Sequence, residues 1–162
     1  MKKLLLTFLI ILFSLTSNVV WSADFQKGLT AYYSGDYATA LREWKPLGEQ
    51  GNASAQNNLG QMYRKGDGVP QDYKTAVKWY TLAAEQDDAS AQYNLGFMYE
   101  NGYGVLRDYV YAHMWANISA SNGNENAIEL RDSLANEMMT SADFSEAQKL
   151  ARECVAKNYK GC

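Results

Sequence analysis

The chain has 162 residues, 47% of them hydrophobic and 20% charged, and a formal net charge of −3. That is enough apolar material for one folded domain with a real core. The acidic balance excludes a nucleic-acid binder, which needs clustered Lys and Arg, and offers no attraction to anionic lipid surfaces.

Lys2 and Lys3 precede an apolar run over residues 4–13, which frays into Ser14, Thr16, Ser17 and Asn18. Val20-Trp21-Ser22-Ala23 then ends in small residues ahead of Asp24. A positive start, a short apolar centre and a small-residue end describe a secretory signal peptide over residues 1–23, cleaved after Ser22 or Ala23. The alternative is a permanent anchor, but a spanning helix needs roughly 20 consecutive apolar residues and this run is shorter. No second apolar run follows, so no membrane span is expected after cleavage, and the expected location is periplasmic or secreted. Removing the leader leaves 13 basic against 18 acidic side chains, a net charge of −5.

An internal repeat organises the remainder of the chain. Ser54-Ala-Gln-Asn-Asn-Leu-Gly-Gln-Met-Tyr63 returns 36 residues later as Ser90-Ala-Gln-Tyr-Asn-Leu-Gly-Phe-Met-Tyr99. Over residues 54–89 against 90–125, 16 of 36 positions are identical, where average usage gives about two. The domain over residues 24–162 divides into units at approximately 24–53, 54–89, 90–125 and 126–162. The first is shortened and the last has lost the Leu-Gly and Gly-x-Gly-Val signatures, as expected of an end unit that faces water.

Each unit reads as two helices. The first starts near Asn52 or Asp88, whose side chains suit an N-cap, and presents Ala55, Leu59 and Met62, or Ala91, Leu95 and Met98, at helical spacing. Gly60 and Gly96 weaken it, so another backbone is expected close by. Gly66 and Gly102 end it, and Asp72 and Asp108 cap the second helix, which carries Tyr73, Ala76, Tyr80 and Ala83. Pro46 falls inside the second helix of the first unit, where a kink or local end near residues 44–47 is expected. Thr140 and Asp143 are suited to cap a last helix running to about Lys157. The fold class is therefore all-α, an α/α solenoid of about four stacked antiparallel helix pairs.

Cys154 and Cys162 are the only cysteines. Export would favour a disulfide. A continuous helix would hold them about 12 Å apart, against the roughly 4.4–6.8 Å that a disulfide needs. The helix must end between them, and Asn158 and Gly161 allow that reversal. A redox-active pair is the alternative, but its usual C-x-x-C spacing is missing.

The Ala-Gln-x-x-Leu-Gly-x-Met-Tyr segment, the Gly-x-Gly-Val turn, the Asp-Tyr-x-x-Ala start of the second helix and Trp79-Tyr80 resemble the Sel-1-like repeat, a relative of the tetratricopeptide repeat. The resemblance implies that the first helix of each pair lines a concave surface. It places Asn57, Gln61, Arg64 and Lys65 there from one unit, and Tyr93, Phe97, Glu100 and Asn101 from the next. These are positions where two otherwise similar units differ. The expected function is a non-catalytic scaffold binding a partner peptide or helix in that groove, with Tyr93 and Phe97 as aromatic anchors and Arg64 and Lys65 meeting acidic groups. The alternative for Tyr93 and Phe97 is plain packing against a neighbouring helix. Self-association through the same face is a further alternative.

No catalytic, metal or cofactor set emerges. His113 is the only histidine and has no partner at ligand or triad spacing. The paired glycines lack the third glycine and the lysine of a phosphate loop, and read as turns. Residues 122–126 do not keep the calcium-loop pattern and read as a helix-joining turn. Some cysteine-rich relatives are labelled as β-lactam or peptidoglycan hydrolases. Here Ser-x-x-Lys, Ser-Asp-Asn and Lys-Thr-Gly are all missing, which leaves a hydrolase as the second reading.

Overall fold

A computed structural model describes residues 23–162. The leader read at residues 1–23 lies, but for Ala23, outside the described residues. Among the described residues the chain is all helical: α1 Phe25–Tyr33, α2 Tyr37–Glu49, α3 Ala53–Lys65, α4 Tyr73–Ala84, α5 Ala89–Asn101, α6 Tyr109–Ser121, α7 Glu125–Ser133 and α8 Ser141–Ala156. A π-helical turn, Leu134–Met138, extends α7. From α1 to α7 each helix packs on the next, the nearest-neighbour pattern of a solenoid.

The expected caps are in place. The Asn52 and Asp88 side chains accept from the backbone N–H groups of Ala55 and Ala91, each at 2.8 Å, while Asp72 and Asp108 cap α4 and α6. Gly66 and Gly102 close α3 and α5 with left-handed backbone. Thr140 and Asp143 form a reciprocal capping box at the start of α8.

Successive units are joined by repeating contacts. The buried Gln56 donates from Nε2 to the Gly48 carbonyl at 2.9 Å, and Gln92 to the Ala84 carbonyl at 3.3 Å. Each thus adds a second donor to a carbonyl at the end of the preceding helix, beside the backbone N–H of Gly51 or Asp87. Their own oxygens accept from Gln86 at 2.7 Å and Asn122 at 2.9 Å, again at matching places. Gly104, at φ +74°, sits so close to α4 that an added Cβ would lie 2.5 Å from the Tyr73 carbonyl carbon. Gly68 meets Tyr37 in the same way, which puts the shortened first unit in phase with the others.

One expectation is narrowed and another corrected. The α2 helix does not end at Pro46 but continues to Glu49. Trp44 and Gly48 are buried on either side of the proline, and their packing holds the last turn although the Arg42 carbonyl loses its donor. The glycines inside the first helices also differ in purpose. Gly96 does admit a backbone, since its Cβ would lie 3.0 Å from the Ala112 carbonyl oxygen. At Gly60 the neighbour is the Tyr80 ring at 2.6 Å, not a backbone. Tyr80 becomes Ala116 one repeat later, so the space left by each glycine is filled once by a ring and once by the approach of α6.

The end unit breaks the pattern. α8 packs chiefly on α6 rather than forming a tight pair with α7. Cys154, buried on α8, pairs with Cys162 at a Cα–Cα distance of 5.5 Å. The helix ends at Ala156, and Asn158, Tyr159 and Gly161 take positive φ to turn the chain back. Gly161 N–H then donates to Glu85 at 3.0 Å, and the Lys160 ammonium lies 3.6 Å from the same carboxylate, tying the turn to the end of α4.

Candidate functional site

The residues singled out on the first helices fall on α3 and α5, and the structure brings several of them together. Asn94 donates to the Asn57 side-chain oxygen at 2.9 Å, linking the two helices. The Arg64 guanidinium on α3 lies 5.6 Å from the centre of the Phe97 ring on α5, a cation–π contact. Arg64 also lies beside the buried Tyr80 hydroxyl. Burial raises the Tyr80 pKa and the guanidinium opposes that rise. Neither Tyr80 Oη nor Arg64 Nε gains a hydrogen bond of good geometry.

Gln61 and Lys65 instead face the first unit. The Tyr32 hydroxyl donates to Asp67 at 2.7 Å and accepts from Gln61 at 3.0 Å and from Lys65 at 3.3 Å. Burial first, and the Asp67 carboxylate second, push the Tyr32 pKa up to about 12. The Lys65 ammonium also lies over the Tyr32 ring at 5.9 Å. Asn101 donates to the neighbouring Glu100 carboxylate at 3.1 Å and to the Phe97 carbonyl at 2.9 Å. Phe97 is half-buried and packs against the central core, with the Tyr103 ring 6.0 Å away and Tyr103 in turn stacked on Tyr73 at 4.7 Å. Tyr93 is half-buried one turn earlier on α5.

Sequence reasoning missed Tyr32, Asp67, Asn94 and Tyr103. The signal for two of them was present: Asp67 and Tyr103 occupy equivalent places in the two turns and differ. The first holds Tyr32 of the preceding unit and the second stacks on Tyr73.

A second feature lies at the far end. Between α6, the π-turn and α8 is a cavity of about 660 Å³, with His113 and Phe144 in its lining. His113 is 1% exposed, and neither ring nitrogen has a hydrogen-bond partner. Burial, reinforced by the nearby Arg131 charge and opposed by Asp132, lowers its pKa, so the imidazole is neutral at neutral pH. His113 stands where the preceding unit has Val77, a polar side chain at a packing position.

Residues 53–88 and 89–124 match the family model described as Sel1 repeat. The chain carries Sel1 repeats. Sel1-repeat proteins are generally protein-interaction scaffolds and typically non-catalytic. The fold of this Sel1-repeat chain is similar to that of a protective antigen present in uropathogenic Escherichia coli strains, which displays an SLR fold. The two are 28% identical with a TM-score of 0.76, over 82% of this chain and 30% of the antigen. A Sel1 repeat protein from Oxalobacter formigenes is 32% identical with a TM-score of 0.69, over 83% of this chain and 56% of that one. The chain thus spans under two thirds of the length of either structure. No curated protein matches it. Among the described residues, no helix of this Sel1-repeat chain is long and apolar enough to cross a membrane.

Proposed function

We propose that the chain is an exported, non-catalytic scaffold of the cell envelope that binds an extended peptide or a helix along the face shared by α3 and α5. One observation carries the reading. Residues 57, 61, 64 and 65 differ from their counterparts 93, 97, 100 and 101, while the core positions Leu59 and Leu95, or Met62 and Met98, are kept. Packing constrains the core in every unit; of the other set, Gln61 and Lys65 contact Tyr32 and Arg64 contacts Phe97, which leaves Tyr93 as the differing aromatic side chain that no such contact accounts for. The contacts of Gln61, Arg64, Lys65 and Phe97 narrow the choice of anchors. Tyr93, half-buried on α5, is the side chain on this face best placed to meet a partner; Phe97 serves both the core and the face.

The test is photo-crosslinking in the native compartment from position 93 on α5, with position 82 on α4 as the control. A protein captured from 93 and not from 82 supports the face. Equal capture from both, or capture of nothing but a second copy of the chain, overturns the partner assignment. The purified chain is also expected to leave a chromogenic β-lactam intact, and hydrolysis that survives repurification would sink the non-catalytic reading. Export is tested by sequencing the mature N-terminus, expected at Ala23 or Asp24.

A further inference from the structure

The end unit leaves a gap between its helices. α8 leans on α6, the π-turn also packs on α6, and about 660 Å³ stays open between them, with Arg131 and Asp132 of α7 in the wall.

The lining is unusual in what it leaves unspent. His113 is almost wholly buried, yet both ring nitrogens are unpartnered, a cost that native structures rarely leave unrecovered. The half-buried Asn117 on α6 and Gln148 on α8, and the exposed Asn136 in the π-turn, also line the cavity and present their side-chain amides to it. The charges in the wall cancel, since Arg131 and Asp132 pair with each other at 2.8 Å. Phe144 stands edge-on to His113, ring centres 5.2 Å apart, and leaves part of its own ring exposed.

We propose that this cavity is a binding site for a neutral sugar ring, held by His113, Asn117, Asn136 and Gln148 with Phe144 against its apolar face. Each unspent group both donates and accepts, as a sugar hydroxyl does. A charged ligand would meet no compensating charge and would lose its hydration. An extended peptide offers its polar groups along a line rising about 3.3 Å per residue, whereas the cavity presents them from three sides around one compact space. Phe144 rotates to admit the ligand, which gives His113 the hydrogen bond it lacks. The site shares no residue with the α3–α5 face, so its failure and the failure of the partner reading are separable.

The single histidine makes the test direct. The disulfide-bonded chain gives a single imidazole Hε1 signal by NMR, titrated separately with glucose, galactose, mannose and N-acetylglucosamine to tens of millimolar. At least one sugar is expected to shift that signal saturably, together with the side-chain amide signals of Asn136 and Gln148. The double variant Asn136→Ala/Gln148→Ala is expected to weaken that titration by about tenfold or more, with the thermal midpoint unchanged because neither amide serves the fold. Tyr93→Ala is expected to leave the titration as it was. The proposal is overturned if none of the four sugars saturates, if a capped tripeptide shifts the signals as strongly, or if the double variant binds as before.

Discussion

Arg64 and Phe97 meet across two units: the guanidinium on α3 lies over the ring on α5, 5.6 Å from its centre. The contact joins two positions that differ between otherwise matching repeats, and gives both a role within the stack. Phe97→Ala is therefore expected to destabilise the chain by about 2–3 kcal/mol through lost core packing. Tyr93→Ala is expected to cost less than about 1 kcal/mol. A double-mutant cycle of Arg64→Ala with Phe97→Ala, read by urea unfolding, is expected to give a coupling of about 0.5–1 kcal/mol. A coupling near zero would show that the pair is only adjacent.

Gly104→Ala is expected to be among the most damaging substitutions in the turns. Its positive φ disfavours any side chain, and the new Cβ would press on the backbone of Tyr73. Two penalties at one site predict a loss of about 2 kcal/mol or more. Gly123→Ala is the control: its φ is also positive, but nothing lies within 4 Å of the added Cβ. Chemical denaturation of the two variants separates the steric part from the conformational part.

Reduction of the disulfide, or Cys162→Ser, is expected to lower stability by about 2–3 kcal/mol. The loss should appear as a drop in the denaturant midpoint with only a small change in slope, because the pair closes a loop of few residues. Cys162 is the better choice for substitution, since Cys154 lies within the core. Hydrogen exchange at Gly161, whose N–H is held by Glu85, is expected to speed up with it.

His113 makes stability depend on pH with a definite sign. Its folded pKa lies below the ordinary histidine value near 6.5, mainly through burial, with Arg131 adding to the shift and Asp132 opposing it. The unfolded chain therefore takes up the proton more readily than the folded one. The contribution of the neutral imidazole is fully present above the unfolded pKa, and is lost as pH falls below it toward the folded value. Urea midpoints measured from pH 8 down to pH 5 are expected to fall for the native chain and to fall less for His113→Leu. Asp88, whose pKa burial raises, works in the opposite direction at lower pH and is unchanged between the two proteins.

The repeat, its helix pairs and their caps were legible in the residues alone. A side chain such as Asp72 or Asn52 caps the helix that follows it, an interaction confined to a few neighbouring residues, and a 36-residue period repeats it. The reversal between Cys154 and Cys162 was legible for the same reason, since the length of a helix forbids the bond without it. Tertiary structure decided the rest. Whether Gly60 faces a ring or a backbone depends on which residue arrives from the next helix. Whether α2 survives Pro46 depends on what Trp44 and Gly48 are buried against. The cavity at His113 exists because α8 settles on α6 instead of on α7, a choice between two surfaces far apart in the chain. No local pattern carries that preference, because it is set by how two already formed helices fit a third.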